Sequence, residues 1–184
     1  MLETLRIWHY FARSNNVSSA DNQQERPGNM REDVPDQVGY YLAGFVDGEG
    51  SFNISIKKAK DRSLGWRVTA CFNVSQKERH ILDVLQEALG CGTIRQRWDG
   101  VHYFEVNSYF DLAEKVIPFF HRFPLLSPNK GETLEIFTKI CEMMCAREHL
   151  SLDGIQQIIH LRKQMNNETS KRHRDDEEIL KSLI

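Results

Sequence analysis

Residues 42–50 read Leu-Ala-Gly-Phe-Val-Asp-Gly-Glu-Gly, and the rest of the chain is best read outward from them. The stretch starts as an apolar helix, carries Gly44 and Gly48 four residues apart, and ends in Asp47 and Glu49. Carboxylates at a helix C-terminus meet the negative end of the macrodipole, an unfavourable place unless something positive lies close. A divalent metal ion is the natural counter-charge. The Gly-xxx-Gly spacing places two residues without side chains on one helical face, where a second helix can approach closely. Two such helices packed together would bring their acidic ends into one shared site. The plainer alternative is a helix stopped at Gly48 or Gly50 that enters a strand and leaves two solvated acids. An EF-hand is excluded, because the spaced oxygen ligands and the closing glutamate are missing.

Downstream of the motif the hydrophobic period switches from helical to alternating. In Ser51–Lys58, Phe52, Ile54 and Ile56 share one face while Ser51, Asn53, Ser55 and Lys57 share the other. After a polar turn, Trp66–Ser75 repeats the pattern: Trp66, Val68, Ala70, Phe72 and Val74 inward, Arg67, Thr69, Cys71, Asn73 and Ser75 outward. The pair reads as a hairpin with one apolar and one hydrogen-bonding face. Lys77–Leu89 is an amphipathic helix stopped by Gly90. Gly92–Trp98 and Val101–Asn107 form a second hairpin, for which Asp99-Gly100 signals a type I′ turn. Its core face carries Ile94, Phe104 and Val106, and its other face Thr93, Arg95, Arg97, Tyr103 and Glu105.

Helices follow over Tyr109–Phe123, about Glu132–His149 after a Pro/Gly-marked break, Leu152–Met165 and Asp175–Leu183. Upstream, residues 15–35 are polar and turn-rich, and the first helix starts near Asp36. The expected organisation is an extension at 1–35, a core domain at 36–149 and a C-terminal helical extension at 150–184. The class is α+β, an α-β-β-α-β-β-α order in which four antiparallel strands form a saddle fit for a DNA groove, backed by helices.

The nonapeptide resembles the signature of the LAGLIDADG homing endonucleases, with Glu49 in place of the usual second aspartate. The element order over roughly residues 37–140 is also the core of that family. The resemblance implies a site-specific, intron-encoded enzyme that makes double-strand breaks in DNA by phosphodiester hydrolysis dependent on Mg²⁺ or Mn²⁺. A single motif per chain implies a homodimer on a pseudo-palindromic site, with Leu42, Gly44, Phe45 and Gly48 at the two-fold axis. Glu49 matches the metal-binding acid, joined by the backbone carbonyl of Gly48, and Asp47 matches the first acid, in a supporting place.

Two further positions carry over. The run Phe72-Asn-Val-Ser-Gln-Lys77 resembles a strand end whose glutamine orders water, which puts Gln76 in the pocket. An ordinary polar residue before a helix is its other reading, and Arg79 or His80 could share the role. The stretch Phe123–Lys130 resembles one that carries a pocket lysine, which makes Lys130 a catalytic candidate; a solvated helix-start lysine is the competing account. For DNA reading the outward strand residues are the candidates: Asn53, Ser55, Lys57, Arg67, Thr69, Asn73, Arg95 and Arg97.

Composition fits this picture. The 184-residue chain has a net charge of −2, yet between Ser51 and Trp98 nine Lys/Arg face four acids. An excess confined to the strand region suits a one-faced phosphate-binding surface. No apolar run reaches membrane-spanning length and no secretory leader is evident, so an intracellular setting is expected, in an organelle (chloroplast or mitochondrion) or the bacterial cytoplasm. The four cysteines contain no Cys-x-x-Cys pair. Cys141, Cys145 and His149 share a helical stripe that hints at zinc, although their apolar neighbours favour core packing. Two other functions stay open on the same fold: an intron maturase that binds RNA, and a nuclease-dead DNA-binding regulator.

Overall fold

The computed structural model describes residues 33–165 together with 176, 179 and 180. Most of the expected extension at 1–35, and most of the helix expected over Asp175–Leu183, therefore lie outside the described residues. Helix α1 (Asp36–Glu49) is followed by strands β1 (Gly50–Lys58) and β2 (Trp66–Gln76), helix α2 (His80–Leu89) and strands β3 (Thr93–Gln96) and β4 (His102–Val106). Helix α3 consists of three consecutive segments, Tyr109–Asp111, a π turn at Leu112–Val116, and Ile117–Arg122. Helix α4 (Pro128–Cys145), a 3-10 turn (Glu148–Leu150) and helix α5 (Leu152–Gln164) follow. The expected α+β order is observed.

The strands form one antiparallel sheet in the order β1-β2-β4-β3. Alternation works as read: Phe52, Ile54, Ile56, Val68, Ala70, Phe72, Val74, Phe104 and Val106 are all buried on one face. Aromatic rings tie that face to the helices. Phe52 stacks on Phe72 at 5.1 Å, Phe120 of α3 meets Phe72 edge-on at 5.6 Å, and Phe137 of α4 lies 5.2 Å from Phe52. Ile155, Ile158, Ile159 and Met165 join the same buried cluster. So does Val34, only 2% exposed, although the sequence places it in a flexible extension.

Several boundaries differ from the sequence reading for local reasons. Helix α4 starts at Pro128, not Glu132, because proline suits the first helical turn, where its missing N–H costs nothing. Helix α3 is interrupted by a π turn that ends two residues before Pro118, whose ring would clash with the carbonyl four residues back in a regular helix. The β3–β4 connection is not a two-residue type I′ turn. Arg97 and Val101 are bonded across it (2.8 Å), and the Gly100 N–H donates to the Arg97 carbonyl (3.0 Å). Only Gly100 takes a positive φ (81°), so Trp98-Asp99-Gly100 is a three-residue loop closed by a left-handed glycine.

Candidate active site and nucleic-acid interface

At the end of α1 the two acids part company. Asp47 Oδ2 accepts hydrogen bonds from the Leu126 N–H (3.2 Å), the Ser127 N–H (2.9 Å) and the Ser127 hydroxyl (2.9 Å). These donors precede α4, whose first N–H groups have no partner within the helix. The Asp47 carboxylate therefore sits at the positive end of one helix while occupying the negative end of its own. Part of the counter-charge that the sequence assigns to a metal ion is supplied by the fold itself. Asp47 Oδ1, by contrast, is buried with no hydrogen-bond partner.

Glu49, the last residue of α1, is exposed. Lys130, in the first turn of α4, donates from Nζ to the Gly50 carbonyl at 2.5 Å. Asp47, Glu49 and Lys130 are thus assembled at the junction of α1, β1 and α4. Gly50 pairs with Val74, so Gln76, two residues further along β2, lies at the same end of the sheet. Its Oε1 accepts from the Lys77 N–H at 3.2 Å.

The oxygen donors here suit a hard divalent cation: an outward carboxylate on Glu49, the unpartnered buried Asp47 Oδ1, and the late carbonyls of α1, Gly48 included. Among the described residues no three His, Cys, Asp or Glu side chains converge as a metal-binding group. The zinc stripe does not form, because α4 ends at Cys145 and Arg147 adopts a left-handed φ of 62°, turning the chain before His149. Burial pushes the Cys141 thiol up to about 12, which keeps it protonated at neutral pH.

Gly44 and Gly48 lie on the exposed side of α1, and a Cβ built on either meets nothing within 4 Å. Phe45 is half-buried beside them. Leu42 must be withdrawn from the expected interface: it is 0% exposed and packs with Val38 and Val46 in the chain's own core. Helical spacing puts residues 38, 42 and 46 on the inner face and 44 and 48 on the outer one.

The expected DNA-reading residues share the sheet face opposite the core. Asn53 faces Cys71, Ser55 faces Thr69 and Lys57 faces Arg67 across β1 and β2. Asn73 lies opposite Glu105, and Arg95 opposite Tyr103. Arg97 falls just beyond β3, at the hairpin loop. Ser55 and Thr69 hydroxyls are 2.6 Å apart, and the Asn53 amide donates to Ser51 Oγ at 2.9 Å. The arginines are held by acids: Arg67 by Asp61 at 2.6 Å, Arg97 by Asp99 at 3.3 Å, and Arg95 by Glu105. A backbone hydrogen bond and the Arg67 guanidinium hold the Asp61 carboxyl below its ordinary range.

Sequence reasoning passed over three features of this face. Lys58 and Lys60 join Lys57, Asp61, Arg67 and Thr69 around an open hollow of about 490 Å³ at the outer end of the first hairpin. Glu105 intrudes as an acid among the cations, visible in the alternation but not weighed. Trp98, at the loop tip, is 94% exposed, and its place beside Asp99-Gly100 was the available signal.

The chain is similar to a probable intron-encoded endonuclease of Neurospora crassa, 35% identical over 67% of this chain and 24% of that protein. A second Neurospora crassa protein of the same description is 32% identical over 71% of this chain and 30% of its own length. The chain thus spans roughly a quarter to a third of these two relatives. It matches far more of the homing endonuclease I-ApeII of Aeropyrum pernix: 29% identity over 78% of this chain and 88% of that protein. Among solved structures, the homing endonuclease I-TnaI superposes with a TM-score of 0.70 and 26% identity, over 82% of this chain and 99% of that one. The archaeal intron-encoded homing endonuclease I-Vdi141I, complexed with DNA, gives 0.70 and 27% over 80% and 94%. The model of the LAGLIDADG endonuclease family matches residues 42–141, and this chain belongs to that family.

Proposed function

We propose that the chain is a site-specific endonuclease that hydrolyses phosphodiester bonds of double-stranded DNA with a divalent cation, Mg²⁺ or Mn²⁺, acting as a homodimer. The observation that carries this reading is the placement of Glu49, Asp47 and Lys130 at one end of a sheet whose open face is lined with Arg, Lys, Asn, Ser and Thr. Support also comes from relatives described as intron-encoded endonucleases and from a structural neighbour complexed with DNA. The open Gly44/Gly48 face of α1 is where a second copy would pack, bringing two Glu49 carboxylates together.

Glu49 and the Gly48 carbonyl would hold the cation, with Asp47 Oδ1 as a further oxygen donor. A bound divalent cation neutralises the scissile phosphate and lowers the pKa of the attacking water. Lys130 adds positive charge where the pentavalent phosphate gathers negative charge. Gln76 orients water from the strand end. The sheet face sets which sequence is presented, with phosphate contacts giving register and base contacts giving choice.

The experiment is cleavage of a cognate site in Mg²⁺ by the wild type and by Glu49→Gln. The variant should bind the DNA and fail to cut it. Cutting at the wild-type rate by Glu49→Gln would refute the assignment. The host compartment, an organelle or a prokaryotic cytoplasm, follows from the intron that carries the gene; among the described residues no helix is long and apolar enough to cross a membrane.

A further inference from the structure

We infer that Ser127 is a positioning residue: through Asp47 it latches the first turn of α4 to the end of α1, and so sets Lys130 against Glu49. The inference rests on the nuclease reading of this site. Ser127 occupies the N-cap of α4, yet its side chain makes no cap bond to its own helix. Its hydroxyl and its N–H are both given to Asp47 Oδ2, 80 residues away in sequence. Its carbonyl accepts from the N–H groups of Lys130 (3.0 Å) and Gly131 (2.9 Å), which ties the Lys130 backbone to the same residue. Lys130 Nζ then returns to the Gly50 carbonyl at 2.5 Å.

Asp47 and Gly50 flank Glu49. The latch therefore ties α4 to the chain on both sides of Glu49 in sequence, once through Ser127 and once through Lys130. Apolar packing does little of this work at Leu126, which is 87% exposed. The Leu126 N–H instead donates to the same Asp47 oxygen. Removing the Ser127 hydroxyl leaves the helix and its core contacts intact and takes away the one side-chain donor of the latch, leaving Asp47 Oδ2 only the backbone N–H groups of Leu126 and Ser127. Small misplacements of a catalytic group are costly out of proportion to the stability lost.

The test is single-turnover cleavage of a cognate duplex in Mg²⁺, with DNA affinity and thermal midpoint measured alongside. Ser127→Ala should slow cleavage about tenfold or more, with DNA affinity and thermal midpoint close to wild type. Ser127→Thr, which keeps the hydroxyl, should restore the rate. Because the effect runs through Lys130, adding Ser127→Ala to Lys130→Met should slow cleavage little beyond Lys130→Met alone. A Ser127→Ala protein that cuts at the wild-type rate overturns the latch, as does a slow one that Ser127→Thr fails to rescue. So does a double variant whose losses multiply. These failures leave the nuclease reading standing as long as Glu49→Gln is inactive; full activity in Glu49→Gln removes the reading itself.

Discussion

Arg95 and Glu105 form an ion pair on the open face of the sheet, diagonally across two ladder positions, since Arg95 faces Tyr103 and Glu105 faces Thr93. The Arg95 side chain is 66% exposed and that of Glu105 only 12%. The acid sits inside the face and the base reaches out from it. A pair whose cation is this exposed contributes about 0–1 kcal/mol to stability. On the proposed function its larger effect falls on binding, because DNA phosphate or guanine would compete with Glu105 for the guanidinium.

Glu105→Gln should therefore strengthen DNA binding and Arg95→Ala should weaken it, the latter by about 1–3 kcal/mol if Arg95 reads a base. Fluorescence anisotropy over a salt series checks both, and loss of a phosphate contact lowers the salt slope by about one. If Glu105→Gln weakens binding as much as Arg95→Ala does, the carboxylate itself reads a base, as an acceptor can from cytosine.

In the proposed homodimer, two glycines of α1 separate association from folding. Gly44 faces open space, so Gly44→Leu should leave the thermal midpoint of the single chain near wild type and abolish dimer formation by sedimentation. At Gly39 an added Cβ would lie 2.3 Å from the Phe123 ring. Gly39→Ala should cost about 1–3 kcal/mol of stability as an overpacked core does. Dimerisation unchanged in Gly44→Leu would place the interface elsewhere.

How much was readable in advance depended on whether the signal was local. The strand faces were legible because side-chain parity is fixed by the chain itself, and Phe52, Ile54 and Ile56 needed no knowledge of what covers them. The two acids that end α1, Asp47 and Glu49, were legible from one nine-residue string. The bonds from Ser127 to Asp47 and from Lys130 to Gly50 join residues 80 apart, and no periodicity records them. Leu42 was misjudged because a motif quoted as a string hides which of its residues turn inward. Pro128 and Gly131 looked like a break, whereas a proline there opens the helix that carries Lys130.

Phe72 is the centre of the sheet core, touching the rings of Phe52, Phe104 and Phe120 at 5.1–6.1 Å. Phe72→Ala should cost about 3–5 kcal/mol, measured by denaturant unfolding. Phe72→Leu should cost clearly less, since it leaves a smaller cavity. Equal losses in the two variants would mean that ring geometry, rather than volume, holds the sheet to α3.

His149 gives the fold a defined response to acid. Burial against the Tyr109 ring, 5.9 Å away, and the Arg62 charge hold its pKa below the ordinary value of 6.5, while a backbone hydrogen bond with Met144 acts in the opposite sense. Below about pH 6.5 the unfolded chain takes up a proton that the folded chain resists, so protonation favours unfolding. Its contribution is complete above 6.5 and is lost as pH falls toward the depressed folded value. Thermal midpoints from pH 7.5 to 5 should fall more steeply in the wild type than in His149→Gln, which has no proton to gain. Parallel curves would show that the acid response comes from other groups, because the one difference between the two proteins is the imidazole packed on Tyr109.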